Sequence, residues 1–559
     1  ESLNAADDGL TYNTKTNDKE TNIYDVIPTA KKGYYSEFEI IKGELYYKGD
    51  VEQKLIWAKE LGIGIIPYEI VDGVLISANS NLLLLDSTGT VRIPYNVTKI
   101  DRGVFNNLEG LTRVIIPGSV KEIGTNAFSN NTSLQEVIME DGVEKIGALA
   151  FGMCINLKSV QIPNSVKTIR TQAFYECSSL KSINLPDNLQ SISSFTFTLC
   201  SSLESIDIPD SVETFGNGCF SHCRSLKEIY IPSNLTDIYN STFEYCTSLD
   251  HITISPSNTT FILEKGSLYN SSKTVLYFVL DNQNTNEITI QEGIVSIREA
   301  AFSKFPNVEI VNLPSTVNNL TSRTFSGVSK LKTINISNNN TKYSSDGATI
   351  YENSTSTLLF SLSKDITLTV KDGTKIIGSY AFQKCNNLEN LILNNDLEEI
   401  KGQALDGTKI KDIYIPASVK KLDPIFVYNL NINTINIDPN NMNYTSDDKF
   451  IYNKNKTEIV KYYKNETSVV IPEGVEKIGN MAFHGKSITN VTIPNTVKEI
   501  GDSFNYCNDL TSITIPNSVE KIDIGCFAFC TNLTQINIDN TENSISGAPW
   551  NSPYGMRVI

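Results

Sequence analysis

Apolar and polar positions alternate along this chain in a pattern that returns at a fixed step. Phe105, Phe128, Phe151, Phe174, Phe197, Phe220 and Phe243 are each 23 residues apart, and Cys154, Cys177, Cys200, Cys223 and Cys246 keep the same step. One unit reads VQIPNSVKTIRTQAFYECSSLKS (160–182), and its apolar set, Val160, Ile162, Val166, Ile169, Ala173, Phe174, Cys177 and Leu180, recurs in register in neighbouring units. A lone coil of this length cannot bury such a set. Successive coils must therefore stack and share one continuous core, which predicts a repeat solenoid.

Within the unit, LKSVQIP (157–163) alternates as a half-buried short strand does, so stacked coils predict a parallel sheet. Proline follows in most units, as at Pro117, Pro163, Pro186, Pro209 and Pro232, and having no N–H to donate it stops the strand at a fixed place. SVKEIG, SVKTIR and SVEKID then read as the turn back, and the AF and C-x-x-L pieces close the coil.

The run IP-x-S-V-x-x-I-G-x-x-A-F-x-x-C-x-x-L-x-x-I resembles the leucine-rich repeats of the BspA-like, or Treponema pallidum type, surface proteins, from about Tyr68 to the C-terminus. That resemblance implies a right-handed leucine-rich repeat solenoid, displayed extracellularly on a cell surface and used for adhesion.

Four stretches depart from the simple coil. FILEKGSLYNSSKTVLYFVL (261–280), YSSDGATIYENSTSTLLFSL (343–362) and YTSDDKFIYNKNKTEIVKYY (444–463) each carry two apolar runs around a polar tip and read as hairpin inserts, expected to project from one face without breaking the stack. YEIVDGVLISANSNLLLLDS (68–87) has the same form. The expected organisation is a non-repeat α+β segment over 1–67, an opening hairpin over 68–90, the solenoid over 91–535 and a cap over 536–559 bearing Trp550 and Tyr554. In the first segment the polar start reads as mobile, FEIIKGELYYKGD as a hairpin and VEQKLIWAKEL as a short helix behind the capping box of Asp50 and Gln53. This hairpin and helix resemble the segment after the stalk of some clostridial type IV pilin-like proteins, which implies an anchor preceding Glu1.

Composition narrows the partners. The chain carries 47 basic against 63 acidic residues, a formal charge of -16, with no basic cluster, so nucleic acid and anionic membrane surfaces are poor partners and no nucleic-acid partner is expected. No stretch approaches the ~20 apolar residues that span a bilayer, so no direct membrane insertion is expected. Ten cysteines would suit a disulfide framework, but such frameworks belong to small domains without a core. Their column also accepts Leu108, Asn131, Phe305 and Val328, so they read as buried free thiols filling space.

Candidate chemistry is sparse. His222, His251 and His484 lie in different coils, and the register puts Cys223 inside and His222 outside, against a thiol dyad. Cys219 with Cys223, and Cys526 with Cys530, lack the second pair a zinc site needs. DNQNTNE (281–287) and DPNNMNYTSDD (438–448) do not match a calcium loop and read as polar loops. No catalytic residue, metal or cofactor is expected.

What remains is the exposed strand column, which varies while the buried positions do not. Its candidate binding residues are Asp207, Tyr230, Tyr414, Thr492 and Thr514, with Glu228 and His251 from the neighbouring column. The leading expectation is a non-enzymatic bacterial adhesin that binds an extracellular protein or glycan on host or matrix. The alternatives are a head-bearing minor pilin that contacts other appendage subunits, and an extracellular hydrolase, which requires a pocket with two nearby carboxylates.

Overall fold

The alternation in LKSVQIP becomes, in a computed structural model of the chain, one rung of a parallel sheet. Ser159–Gln161 pairs with Glu136–Met139, that strand with Arg113–Ile116, and that with Thr90–Arg92. Val160, Val137, Val114 and Val91 then stack in one buried file. The structure describes residues 68–78, 89–281 and 285–538, together with short strands at 3–6, 9–13, 20–22, 38–41, 44–47 and 557–558.

A second parallel ladder runs where the sequence reads as a simple turn. Lys99–Ile100, Glu122–Ile123, Lys145–Ile146 and Thr168–Ile169 pair in sequence order. Val120 N–H bonds the Pro117 carbonyl at 3.1 Å, which reverses the chain, and three residues later Ile123 is again pointed into the core. Each two-residue strand buries one isoleucine, too short a pattern to register as alternation.

The AF piece makes a third set of coil-to-coil bonds. Gln172, Phe174 and Glu176 donate their N–H groups to the carbonyls of Ser194, Thr196 and Thr198, at 3.1, 3.1 and 2.8 Å. Gln172 and Glu176 hold left-handed backbones, with φ 61 and 58, a conformation unfavourable for residues with a Cβ that these bonds hold in place. Between them the phenylalanines stack from Phe105 to Phe243, neighbouring ring centroids lying 4.9 to 6.2 Å apart and nearly parallel.

All ten cysteines are free and buried. They also do something the sequence reading missed. The thiols of Cys154, Cys177, Cys200, Cys223 and Cys246 donate to the carbonyls of Phe128, Phe151, Phe174, Phe197 and Phe220, at 3.1 to 3.3 Å, each one coil back. Asn131, in the same column, donates to the Phe105 and Phe128 carbonyls at 2.8 and 2.7 Å. The column therefore supplies a compact donor for an inward-facing carbonyl, as well as filling space. Burial pushes Cys154, Cys200 and Cys246 up to about 12, so no thiolate forms near neutral pH.

The inserts are more than excursions from the stack. Each is a three-stranded antiparallel meander whose last strand is itself a rung of the short-strand ladder, Leu276 pairing with Ile297, Leu358 with Ile377 and Ile459 with Ile478. The hairpin of Tyr68–Val71 and Val74–Ala78 joins the ladder in the same way, through Leu75 and Ile100. One buried asparagine starts each insert. Asn441 donates to the carbonyls of Pro416 and Val419 and accepts from the N–H groups of Asn443 and Tyr444, at 2.8 to 3.1 Å. Asn258 and Asn340 make the same four bonds.

The coils divide into two compact units, Glu1–Thr285 with Gly293–Val308 and Arg323–Ser329, and Asn286–Glu292 with Glu309–Ser322 and Lys330–Ile559. Within the first segment, the stretch read as mobile contains three antiparallel strands, Leu3–Ala6, Gly9–Asn13 and Glu20–Asn22. Phe38–Ile41 pairs with Glu44–Tyr47 as a hairpin. The helix expected over 51–61 lies outside the described residues, as does most of the cap; Arg557–Val558 pairs in parallel with Gln535–Ile536.

Candidate functional site

A rung of the longer-strand ladder leaves one side chain outward between two that point inward, because a strand points successive residues to opposite faces. In the first unit this places four of the candidate residues on three consecutive coils. Glu228–Ile231 pairs with His251–Ile254, so Glu228 sits in register with His251 and Tyr230 with Thr253. Asp207 lies on the preceding coil, bridged in parallel to Asn184. Glu228, His251 and Asp207 are exposed and Tyr230 is half-buried. The Tyr230 hydroxyl donates to Asp210 Oδ1 at 3.3 Å, and Ser233 N–H donates to the same oxygen at 2.9 Å. Those bonds, the Ser233 N–H first, hold the Asp210 carboxyl below its usual range.

The other three candidates are in the second unit. Tyr414 is 53 % exposed, and its hydroxyl donates to Asp438 Oδ2 at 2.7 Å, which lowers the Asp438 pKa and raises that of the phenol. Thr492 lies in register with Val470, and Thr514 with Asn537. Large apolar side chains share this column, Ile392 at 53 % and Val470 at 66 % exposure.

A groove of about 470 Å³ opens in the same unit, lined by residues that include Glu389, Lys409, Lys411 and Asp412. Its origin is a shortened corner. The regular C-x-x-L of Cys385–Leu388 becomes Thr408-Lys409-Ile410 one coil later, with one residue fewer. Asn390–Ile392 and Asp412–Ile415 then lie side by side without pairing, although each pairs with its other neighbour, Thr367–Thr369 and Thr434–Ile437. Two carboxylates, Glu389 and Asp412, thus line one concavity. Asp412 accepts the Thr434 hydroxyl at 2.6 Å.

Residues flanking the two ladders form rung-to-rung ion pairs, among them Lys167 with Glu144 next to the short ladder and Lys227 with Glu204 next to the longer one, both at 2.8 Å, and Glu398 between Lys375 and Lys420. The remaining histidines serve locally. His222 is half-buried with Nδ1 2.8 Å from Ser221 Oγ and its ring 4.5 Å from Tyr245, while the Cys223 thiol points to Phe197. His484 Nδ1 lies 2.6 Å from Asn505 Oδ1. Among the described residues no three His, Cys, Asp or Glu side chains gather as metal ligands would, and no helix is long and apolar enough to cross a membrane.

Two stacked ladders with a leucine-type core at a step of 22 or 23 residues define a leucine-rich repeat solenoid. The BspA type leucine rich repeat region matches the chain over 84–178, 144–275, 263–367, 353–465 and 458–551, and the chain belongs to that family. Among solved structures it is similar to a leucine rich cell surface protein of Faecalibacterium prausnitzii, at 21% identity over 86% of this chain and 94% of the other, TM-score 0.39. It is also similar to a leucine-rich repeat protein of Bacteroides ovatus, at 20% identity over 88% and 97%, TM-score 0.38. A leucine rich repeat protein of T. pallidum matches at 24% identity over 34% of this chain and 78% of its own, TM-score 0.25. No curated protein matches the chain.

Proposed function

We propose that the chain is a non-enzymatic bacterial adhesin, held outside the cell and binding an extracellular protein or glycan of host or matrix through the outward strand column. One observation carries this reading. From rung to rung the inward flanks stay apolar, nearly all Val, Ile or Leu, while the outward position between them runs through Asp207, Tyr230, Thr253, Tyr414, Thr492 and Thr514. Packing fixes the first set and leaves the second free to suit a partner.

The groove supports binding. Glu389 and Asp412 are exposed, in an open groove they share with Lys409 and Lys411, where all four side chains are free to meet a ligand from solvent.

The test is a binding screen of the full chain against host cells and immobilised matrix proteins, repeated with the Glu228→Ala, Tyr230→Ala, His251→Ala triple variant. Saturable binding that the triple variant weakens supports the reading. A blank across all surfaces overturns it.

A further inference from the structure

We propose that the groove between Asn390–Ile392 and Asp412–Ile415 is a subsite for a neutral oligosaccharide, with the Tyr414 ring as its stacking platform. The inference rests on the adhesin reading above and narrows it to one ligand chemistry at one place.

Three features select that class. The groove walls carry two lysines, Lys409 and Lys411, against two carboxylates, Glu389 and Asp412, so a chain of formal charge -16 presents here a concavity whose formal charges cancel. An anionic glycan or an acidic peptide gains nothing from such a balance, whereas sugar hydroxyls both donate to carboxylates and accept from ammonium groups. Asn390, Asn429 and Asn431 line the same space; the Asn390 amide already donates to Thr367 Oγ1 and Asn431 Oδ1 already accepts from Asn465, and their remaining donors and acceptors add to the set.

The second feature is Tyr414. It stands beside the groove's lining residues, projecting from the same strand and to the same exposed side as Asp412; the residue is 53 % exposed, and its hydroxyl is tied to Asp438 at 2.7 Å. An exposed ring held by its hydroxyl loses little further side-chain freedom on binding and offers a flat apolar face to the C–H side of a pyranose. Ile392, in the equivalent outward position of the neighbouring coil, extends that apolar edge.

The third feature excludes an inserted peptide. The two strands are unpaired, which would invite an added strand, but their Cα atoms approach within 8 Å. A strand between them needs about 9.5 Å, twice the ordinary spacing. The ligand must lie over the groove and be read by side chains.

The experiment uses the full chain on an array of defined oligosaccharides holding neutral, sialylated and sulfated members, beside a library of extended peptides. Retention of neutral members is expected, weakened about tenfold by Tyr414→Ala, the loss of one stacked ring, and kept by Tyr414→Phe, which preserves the ring without the Asp438 bond. Lys167→Ala, in an exposed ion pair of the first unit, should leave the array unchanged. Retention of only charged glycans or peptides, no retention at all, or equal retention by Tyr414→Ala would each overturn the subsite. If the array is blank while the host-cell and matrix screen stays positive, the subsite alone falls; if both are blank, the adhesin reading falls with it.

Discussion

The thiol of Cys177 donates a hydrogen bond to the carbonyl of Phe151, 3.3 Å away and one coil back. The relationship explains why a cysteine returns at a place where Leu108 or Val328 also fits. An apolar residue fills the column but offers the carbonyl nothing; a thiol does both at nearly the same volume. It also accounts for Asn131, whose amide makes the equivalent bond from the same position.

Removing one thiol should therefore cost more than its volume. Cys200→Ala is expected to destabilise the fold by about 1 to 2 kcal/mol in urea unfolding, through a small cavity and a lost donor to Phe174. A thiol reagent at pH 8 should label none of the ten cysteines in the native chain and all of them after denaturation, since all are buried and burial pushes Cys200 up to about 12. Rapid native labelling would contradict the buried column.

Lys461 sets a second expectation. The first two inserts place Phe278 and Phe360 beside their rungs, where the third has Lys461, 2 % exposed, its Nζ 3.4 Å from the Met481 carbonyl. Burial pulls its pKa from 10.5 down to about 7. Between those values the unfolded chain holds a proton that the folded chain lacks, so stability rises as pH climbs from 7 to about 10.5 and is lost as pH falls back to 7. The penalty at neutral pH and below is on the order of a few kcal/mol. Lys461→Phe should raise the melting temperature at pH 7 and flatten this part of the pH profile; a variant no more stable than the parent would contradict the assignment.

Asn441 should resist even an isosteric change. Asn441→Asp replaces the two donors to Pro416 and Val419 with a buried carboxylate facing two carbonyls, at a cost of about 3 to 5 kcal/mol. Chemical denaturation compares it with Asn440→Asp, at a neighbouring exposed position, which should stay within about 0.5 kcal/mol of the parent.

At Gly118 the coils meet too closely for a side chain. A Cβ there would lie 1.9 Å from the Asp141 carbonyl oxygen of the next coil. Gly118→Ala is expected to cost about 1 to 3 kcal/mol through the forced shift of backbone, read as a lower urea midpoint.

These residues mark where sequence reading succeeds and stops. The Phe105 to Phe243 file and the buried valines were legible because one-dimensional periodicity translates directly into stacking. The short ladder was not, since Glu122–Ile123 carries only one inward residue per coil. Nor was the donor role of Cys177, because a column shared with Leu and Val looks like filler until the facing carbonyl is located. The outward column was readable as a face, and the structure puts Glu228 beside His251 as strand pairing demands. The groove was missed: its cause, the single residue dropped between Thr408 and Ile410, disturbs the period by only one position. The Tyr414–Asp438 bond crosses coils and has no local signature.

The most direct test of the account compares two sets of substitutions on one purified chain, binding to host cells and immobilised matrix proteins. One set alters the outward column, at Glu228, Tyr230, His251 and Tyr414; the other alters Lys167 and Lys227 in the ion pairs that flank the ladders. The account predicts that the first loses most of its binding with an unchanged melting temperature and that the second binds like the parent. Equal binding by both would contradict the claim that the outward strand column is the contact surface.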